Sequence, residues 1–193
     1  MNDFWLWFTT GFHHILDWNG YDHICYVACL SVLFPLKEWK RLLILVTAFT
    51  IGHSLTLALS VFHIISVPQK IIEYLIPITI ISTCVYNIYV RNKKLKSLTF
   101  NYVTALIFGF IHGMGFSYLL RSLLGKDGNI ITPLFSFNIG LEAGQLLIVA
   151  AVLFISLVLE TFFKIAKKDY IFFVSAAVFG IALVLLIERL KLN

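Results

Sequence analysis

The stretch PLFSFNIGLEAGQLLIVAAVLFISLVLETFF (133–163) carries only two charged residues, Glu142 and Glu160, in thirty-one positions. As a helix it extends roughly 46 Å, more than the ~30 Å of hydrocarbon in a bilayer. A soluble helix keeps a polar face opposite its apolar stripe; this one is apolar on nearly every face, so it reads as a membrane span. Five more apolar stretches follow the same logic: 21–36, 40–64, 69–91, 99–123 and 169–190. The expected fold is therefore all-α, a polytopic membrane protein of about six transmembrane helices.

The composition agrees. Hydrophobic residues make up 60% of the 193 and charged residues 13%, with mean hydropathy +0.91. A soluble domain has about 45–50% apolar and 25% charged residues, so too little of this chain could face water. Residues 4–16 are apolar but short, and Trp5, Trp7 and Trp18 flank them. Tryptophan favours the headgroup region, which predicts a re-entrant or interfacial helix. With no linker rich in Pro, Gly or Ser, residues 1–193 read as one domain: an N-terminal segment over 1–20 and a helical bundle over 21–190. The first residues lack the basic start and cleavage site of a signal peptide and read as mature protein. Pro35 and Pro133 fall near span ends, where a missing amide costs little, and Pro77 falls inside a span.

The net charge of +5 belongs to short loops and gives no reason to expect nucleic acid. Ten of the fifteen Lys and Arg follow the first, third and fifth stretches: Lys37, Lys40, Arg41; Arg91, Lys93, Lys94, Lys96; Lys164, Lys167, Lys168. Lys70, Arg121, Lys126, Arg189 and Lys191 fall on the other side. The positive-inside rule then puts the N-terminal segment and the C-terminus outside the cytoplasmic membrane. Cys25, Cys29 and Cys84 sit in apolar runs without a CxxC, which suits small buried hydrophobes better than a disulfide or thiolate site.

Ionisable residues at bilayer depth are costly, and that points to function. His53 (TIGHSL), His112 (FIHGMG) and Glu142 (IGLEAG) each lie about ten residues from an outer span end, roughly 15 Å deep. Asn138, Glu142 and Gln145 share a helical face. His14, Asp22 and His23 gather nearer the outer surface, and the Asn19-Gly20 turn between them lets His14 approach Asp22 and His23. His13 and His14 point about 100° apart on a helix, so one of them faces any site. Glu73 and His63 stand at outer span ends. Imidazole and carboxylate are ligands for divalent first-row ions, with Ni, Co and Zn all compatible. Gly109/Gly113 and Gly140/Gly144 form GxxxG pairs beside His112 and Glu142. Such pairs let helices approach closely and are expected to bring His112 and Glu142 toward a shared ion or each other.

Blander readings compete. His53 suits a structural hydrogen bond to Thr50 or Ser54, Asp17 a turn cap, and Glu73 a helix-dipole partner. His63 reads as interfacial, and the glycines as packing alone. Three mid-depth ionisable residues on different spans weigh toward function.

The stretches GFHHILDWNGYDHI (11–24), FTIGHSLTLAL (49–59), IHGMGFS (111–117) and FNIGLEAGQLL (137–147) resemble the HupE/UreJ family of bacterial membrane proteins. That family is associated with hydrogenase and urease clusters and regarded as nickel or cobalt permeases. The resemblance implies that His14, Asp22, His23, His53, His112 and Glu142 line a metal route, with Asn138, Gln145 and Glu73 as secondary candidates, and it favours His14 over His13. It also implies the bacterial inner membrane. A looser similarity is to the Asp-His signature of the larger nickel–cobalt transporters, from which the turn between His14 and Asp22 departs.

The expected function is a permease: a divalent ion captured outside by His14, Asp22 and His23, then passed inward to His53, His112 and Glu142. The ion is cargo, and no resident cofactor is expected. The partners are the lipid bilayer and the metal, and a homo-oligomer is compatible. No GxxxxGK[ST] occurs, so the chain has no ATPase of its own. The alternatives are an intramembrane zinc hydrolase and a metal-binding sensor or accessory protein.

Overall fold

The computed structural model describes residues 3–18, 20–93, 99–124 and 130–191, with the backbone alone at 100 and 118–124. Asn19, Lys94, Lys96 and Lys126, and the side chain of Arg121, lie outside the described part. Among the described residues there are seven α-helices and no strand: α1 Asp3–Ile15, α2 Asp22–Ser31, α3 Trp39–Val61, α4 Gln69–Val90, α5 Thr99–Leu124, α6 Ile131–Thr161 and α7 Lys167–Lys191. Four are long and apolar enough to cross a membrane: α3 with its preceding 3₁₀ turn (Leu36–Val61), α4, α6 and α7. At 26 residues, α5 matches them in length.

The stretch 21–36 departs from the expected span. Its helix, α2, has ten residues, about 15 Å or half the hydrocarbon thickness. Phe34 precedes Pro35, whose ring disfavours helix in the residue before it, and Pro35 itself is extended at ψ 157°. The helix has already given way to turns by Val32. At the other end α2 begins only after the turn that follows α1.

Helices pair through glycine. A Cβ at Gly52 of α3 would overlap the Leu106 carbonyl oxygen of α5, and one at Gly140 of α6 would overlap that of Phe8 in α1. Only a residue without a side chain lets backbones approach so closely in lipid. The register is parallel in both pairs: Phe49 faces Gly109 and His53 faces Gly113, while Phe8 faces Gly140 and Ile15 faces Gly144. The GxxxG pairs thus seat α5 on α3 and α6 on α1, and do not bring His112 to Glu142 as the sequence suggested. Antiparallel to each other, α4 and α7 are joined by Arg91 over the Phe172 ring at one end and by Glu73–Arg189 at the other.

Parallel to α6, α1 lies along the first half of that much longer helix, with Gly11 and Ile15 buried. Its last turn therefore arrives part-way down the bundle. Beside α4, α2 carries Cys29 3.4 Å from Cys84 (Sγ–Sγ) and bonded through Asn87. All three cysteines are free and buried. Lys167 closes the lysine-rich end, its Nζ donating to the Phe34 carbonyl and the Ser156 hydroxyl beside Glu160.

Candidate metal centre

Four helices each deliver one histidine to the same place. The last turn of α1 brings His14, the first turn of α2 brings His23, and the middles of α3 and α5 bring His53 and His112. Donor atoms of His14, His23 and His53 all lie within 4.8 Å of one another. Ring centroids are 4.7 Å apart for His14–His23, 6.0 Å for His23–His53 and 6.1 Å for His14–His53. His112 adjoins through His23, at 5.1 Å. His53 and His112 are 0% exposed and His23 is 5% exposed.

The hydrogen bonds leave the inward nitrogens free. His23 donates from Nδ1 to Asp22 Oδ1 at 2.8 Å, and His112 from Nδ1 to the Phe108 carbonyl at 2.9 Å. With the proton on Nδ1, each ring presents a lone pair at Nε2. Neither Nε2 has a partner in the protein, nor does His14 Nε2, nor either ring nitrogen of His53. The bland reading of His53 needs a bond to Thr50 or Ser54; instead Thr50 donates to Val46 and Gln145, and Ser54 to the Thr50 carbonyl. An unpartnered buried polar atom costs about 1–3 kcal/mol, and the imidazole lone pairs that converge here make a candidate cation site. A first-row ion binds imidazole nitrogen at about 2.0–2.1 Å, so tetrahedral donors stand about 3.4 Å apart. The Asp22–His23 pair is the carboxylate–histidine arrangement that fixes a ligand's tautomer and raises its basicity.

Aromatic rings wall the cluster. Phe116 lies 3.9 Å from His14, with Phe137 behind it at 4.9 Å; Tyr26 and Phe49 lie 5.3 and 5.4 Å from His112.

The sequence reading divided these histidines between an outer station and a deeper one; the structure brings them into one, because α1 descends beside α6. His13 faces outward and is exposed, leaving His14 as the inward member of the pair. Glu142 is not in the histidine group: Thr47 donates to it at 2.6 Å, and Thr50 donates to Gln145 at 2.6 Å. The Asn138 amide donates to the Leu134 carbonyl at 2.8 Å. Of these α6 residues, Asn138 and Glu142 border an open groove with Thr50 and Ser54 of α3, while Gln145 is buried against Thr50. Thr47 was missed from sequence and Thr50 was considered only as a partner of His53, although Thr47, Thr50 and Ser54 fall at i, i+3, i+7 on one face. Glu73 pairs with Arg189 at 3.7 Å, and both line a cavity of ≈ 70 Å³ with Tyr21, Asp22 and Pro77. His63 is exposed and ends α3 in the left-handed conformation, φ 58°.

Histidines from four helices, three of them buried and His14 partly so, in a bundle with four membrane-length apolar helices, define a helical membrane protein with a candidate metal centre. The chain belongs to the HupE / UreJ protein family, whose sequence profile matches residues 1–189. That family relates it to nickel and cobalt handling. No curated protein and no solved structure matches the chain.

Proposed function

We propose that the chain is a permease for a divalent transition metal, nickel or cobalt before zinc, of the bacterial inner membrane. One observation carries the reading: three imidazoles from three helices, His23 and His53 buried and His14 partly so, hold their donor atoms within 4.8 Å with their Nε2 nitrogens unpartnered. Two half-length helices, α1 and α2, meet at this point. Broken helices whose ends converge inside the bilayer are a recurring way of building ion sites in transporters. The C-terminal end of α1 turns its partial negative charge toward a cation, and Asp22 counters the opposite sign at the start of α2. In this reading α3 to α7 are full spans and α1 with α2 form one interrupted span, giving six crossings.

Lysine excess places the ends near Lys37, Arg41, Lys93 and Lys164 in the cytoplasm, and the N-terminus of α1 and the C-terminus of α7 outside. The ion enters by the cavity bearing Asp22 and Glu73 and reaches His23 through Asp22, its hydrogen-bond partner. His14, His23, His53 and His112 bind it. Glu142, Asn138 and Gln145 line the neighbouring α3–α6 contact and tune the site from there. The membrane potential favours inward movement of a divalent cation by about 4.6 kcal/mol per 100 mV.

The three-histidine set also matches a catalytic zinc site, which keeps three protein ligands and one open position. The test is flux of Ni²⁺, Co²⁺, Zn²⁺ and Fe²⁺ into proteoliposomes, with His53→Ala as the lesion and His13→Ala as control. Flux lost in the first variant and kept in the second supports the permease. Absent flux with one tightly retained zinc per chain supports the hydrolase or sensor reading.

A further inference from the structure

The cavity that bears Asp22 and Glu73 also bears a cation. It measures ≈ 70 Å³, with Asp22, Glu73 and Arg189 as its charged members and Ile76, Pro77 and Leu185 as its apolar wall. Glu73 stands in the second turn of α4 and Arg189 in the last turn of α7, while Asp22 opens the half-length α2. The Glu73–Arg189 pair is thus at two helix ends, and Asp22 connects the same cavity to His23. Among the described lining residues, one guanidinium faces two carboxylates.

The contact between Arg189 and Glu73 is loose. Nη1 lies 3.7 Å from Oε2, while Gln69 donates to Oε1 at 3.1 Å. A charge-assisted hydrogen bond spans about 2.7–2.9 Å, so the pair attracts without closing a bond. The side chains are 44% and 33% exposed, and an exposed pair of this kind contributes little to stability. As a staple between α4 and α7 it is weak. As a charge it is permanent, because a guanidinium keeps its proton in proteins. The long stem of arginine lets the head move toward water while the chain stays in place.

We infer that Arg189 is the charge filter of this entrance: its guanidinium guards Glu73, and a dication displaces it where a monovalent cation does not. The inference rests on the entry route of the permease reading. A monovalent ion that displaces Arg189 exchanges one unit charge for another and gains nothing from the two carboxylates. A divalent ion brings a second unit of charge to Asp22 and Glu73, and its attraction to them is doubled. Rejecting a competitor with a repulsive element is a general route to specificity. The filter also slows the cargo, since like charge at an entrance lowers the rate of approach.

The experiment mixes the purified full chain rapidly with Co²⁺ and reads the association rate from the rise of d–d absorption. Ionic strength is held constant with either bulky N-methylglucamine or Na⁺. Arg189→Gln is expected to raise the rate about threefold in N-methylglucamine and to lose that gain in Na⁺. The wild type is expected to differ less than about twofold between the two salts. Glu73→Gln is expected to lower the rate about threefold, and Arg189→Lys, which keeps the charge, to stay within about twofold of wild type. A pair that only staples α4 to α7 moves both Gln variants in one direction or neither, and either result overturns the filter. An Arg189→Gln chain as indifferent to Na⁺ as the wild type overturns it too. Co²⁺ flux in proteoliposomes tests the permease separately. A wild type that shows the expected rates but carries no Co²⁺ overturns the permease reading and upholds the filter as the guard of a binding site.

Discussion

Replacing Asp22 tests whether the histidines act as ligands. Its Oδ1 accepts from the His23 backbone N–H at 2.7 Å and from the ring Nδ1 at 2.8 Å, which holds Nε2 toward His14 and His53. A hydrogen bond to an ionised group contributes about 1.5–3 kcal/mol, against about 0.5–1.5 for a neutral pair. Asp22→Asn keeps an acceptor in place but loses the charge. The difference of about 1–1.5 kcal/mol corresponds to a loss of roughly 5–12-fold in metal affinity, at 1.4 kcal/mol per decade. Asp22→Ala removes the acceptor and frees the ring, and outer-sphere losses of this kind reach about 10–100-fold. Co²⁺ titration of purified protein at fixed pH, followed by d–d absorption, measures both. The expected order is wild type, then Asn, then Ala. If both variants bind within about twofold of wild type, His23 is not a ligand oriented by Asp22, and the centre as drawn is wrong.

Two further outcomes follow from the same structure. Gly52→Ala should lower thermal stability in detergent by about 1–3 kcal/mol, because the new methyl meets the Leu106 carbonyl. Gly180→Ala, where nothing lies within 4 Å, should be neutral or slightly stabilising, and equal melting shifts in the two would refute the α3–α5 contact. Protons compete with metal for imidazole nitrogen, so metal uptake should fall on acidification and recover on return to neutral pH. A rate that does not fall at any acid pH at which the protein stays folded, with the membrane potential held constant, would speak against histidine ligation.

Much of the centre was legible in the chain. A histidine in the middle of an apolar run costs free energy that only a role offsets, which singled out His53 and His112. The turn after α1 brought His14 within reach of His23. What the chain did not show was the partner of each face. In a soluble helix the apolar stripe points at the core, but helices in lipid are apolar all round. Asn138, Glu142 and Gln145 could be placed on one side of α6, yet not against Thr47 and Thr50.

The amino-acid sequence by itself determined the class of protein, the positions of the long helices and the family, because length, hydropathy and local motifs are properties of contiguous residues. Only the tertiary structure decided that α1 lies parallel to α6, that α2 stops at half a membrane thickness, and that four histidines share one station while Glu142 stands apart. Those outcomes depend on which backbones fit together where glycine leaves room, as at Gly52 against Leu106 and Gly140 against Phe8. Helical periodicity tells which residues share a face; it does not tell which helix that face will meet.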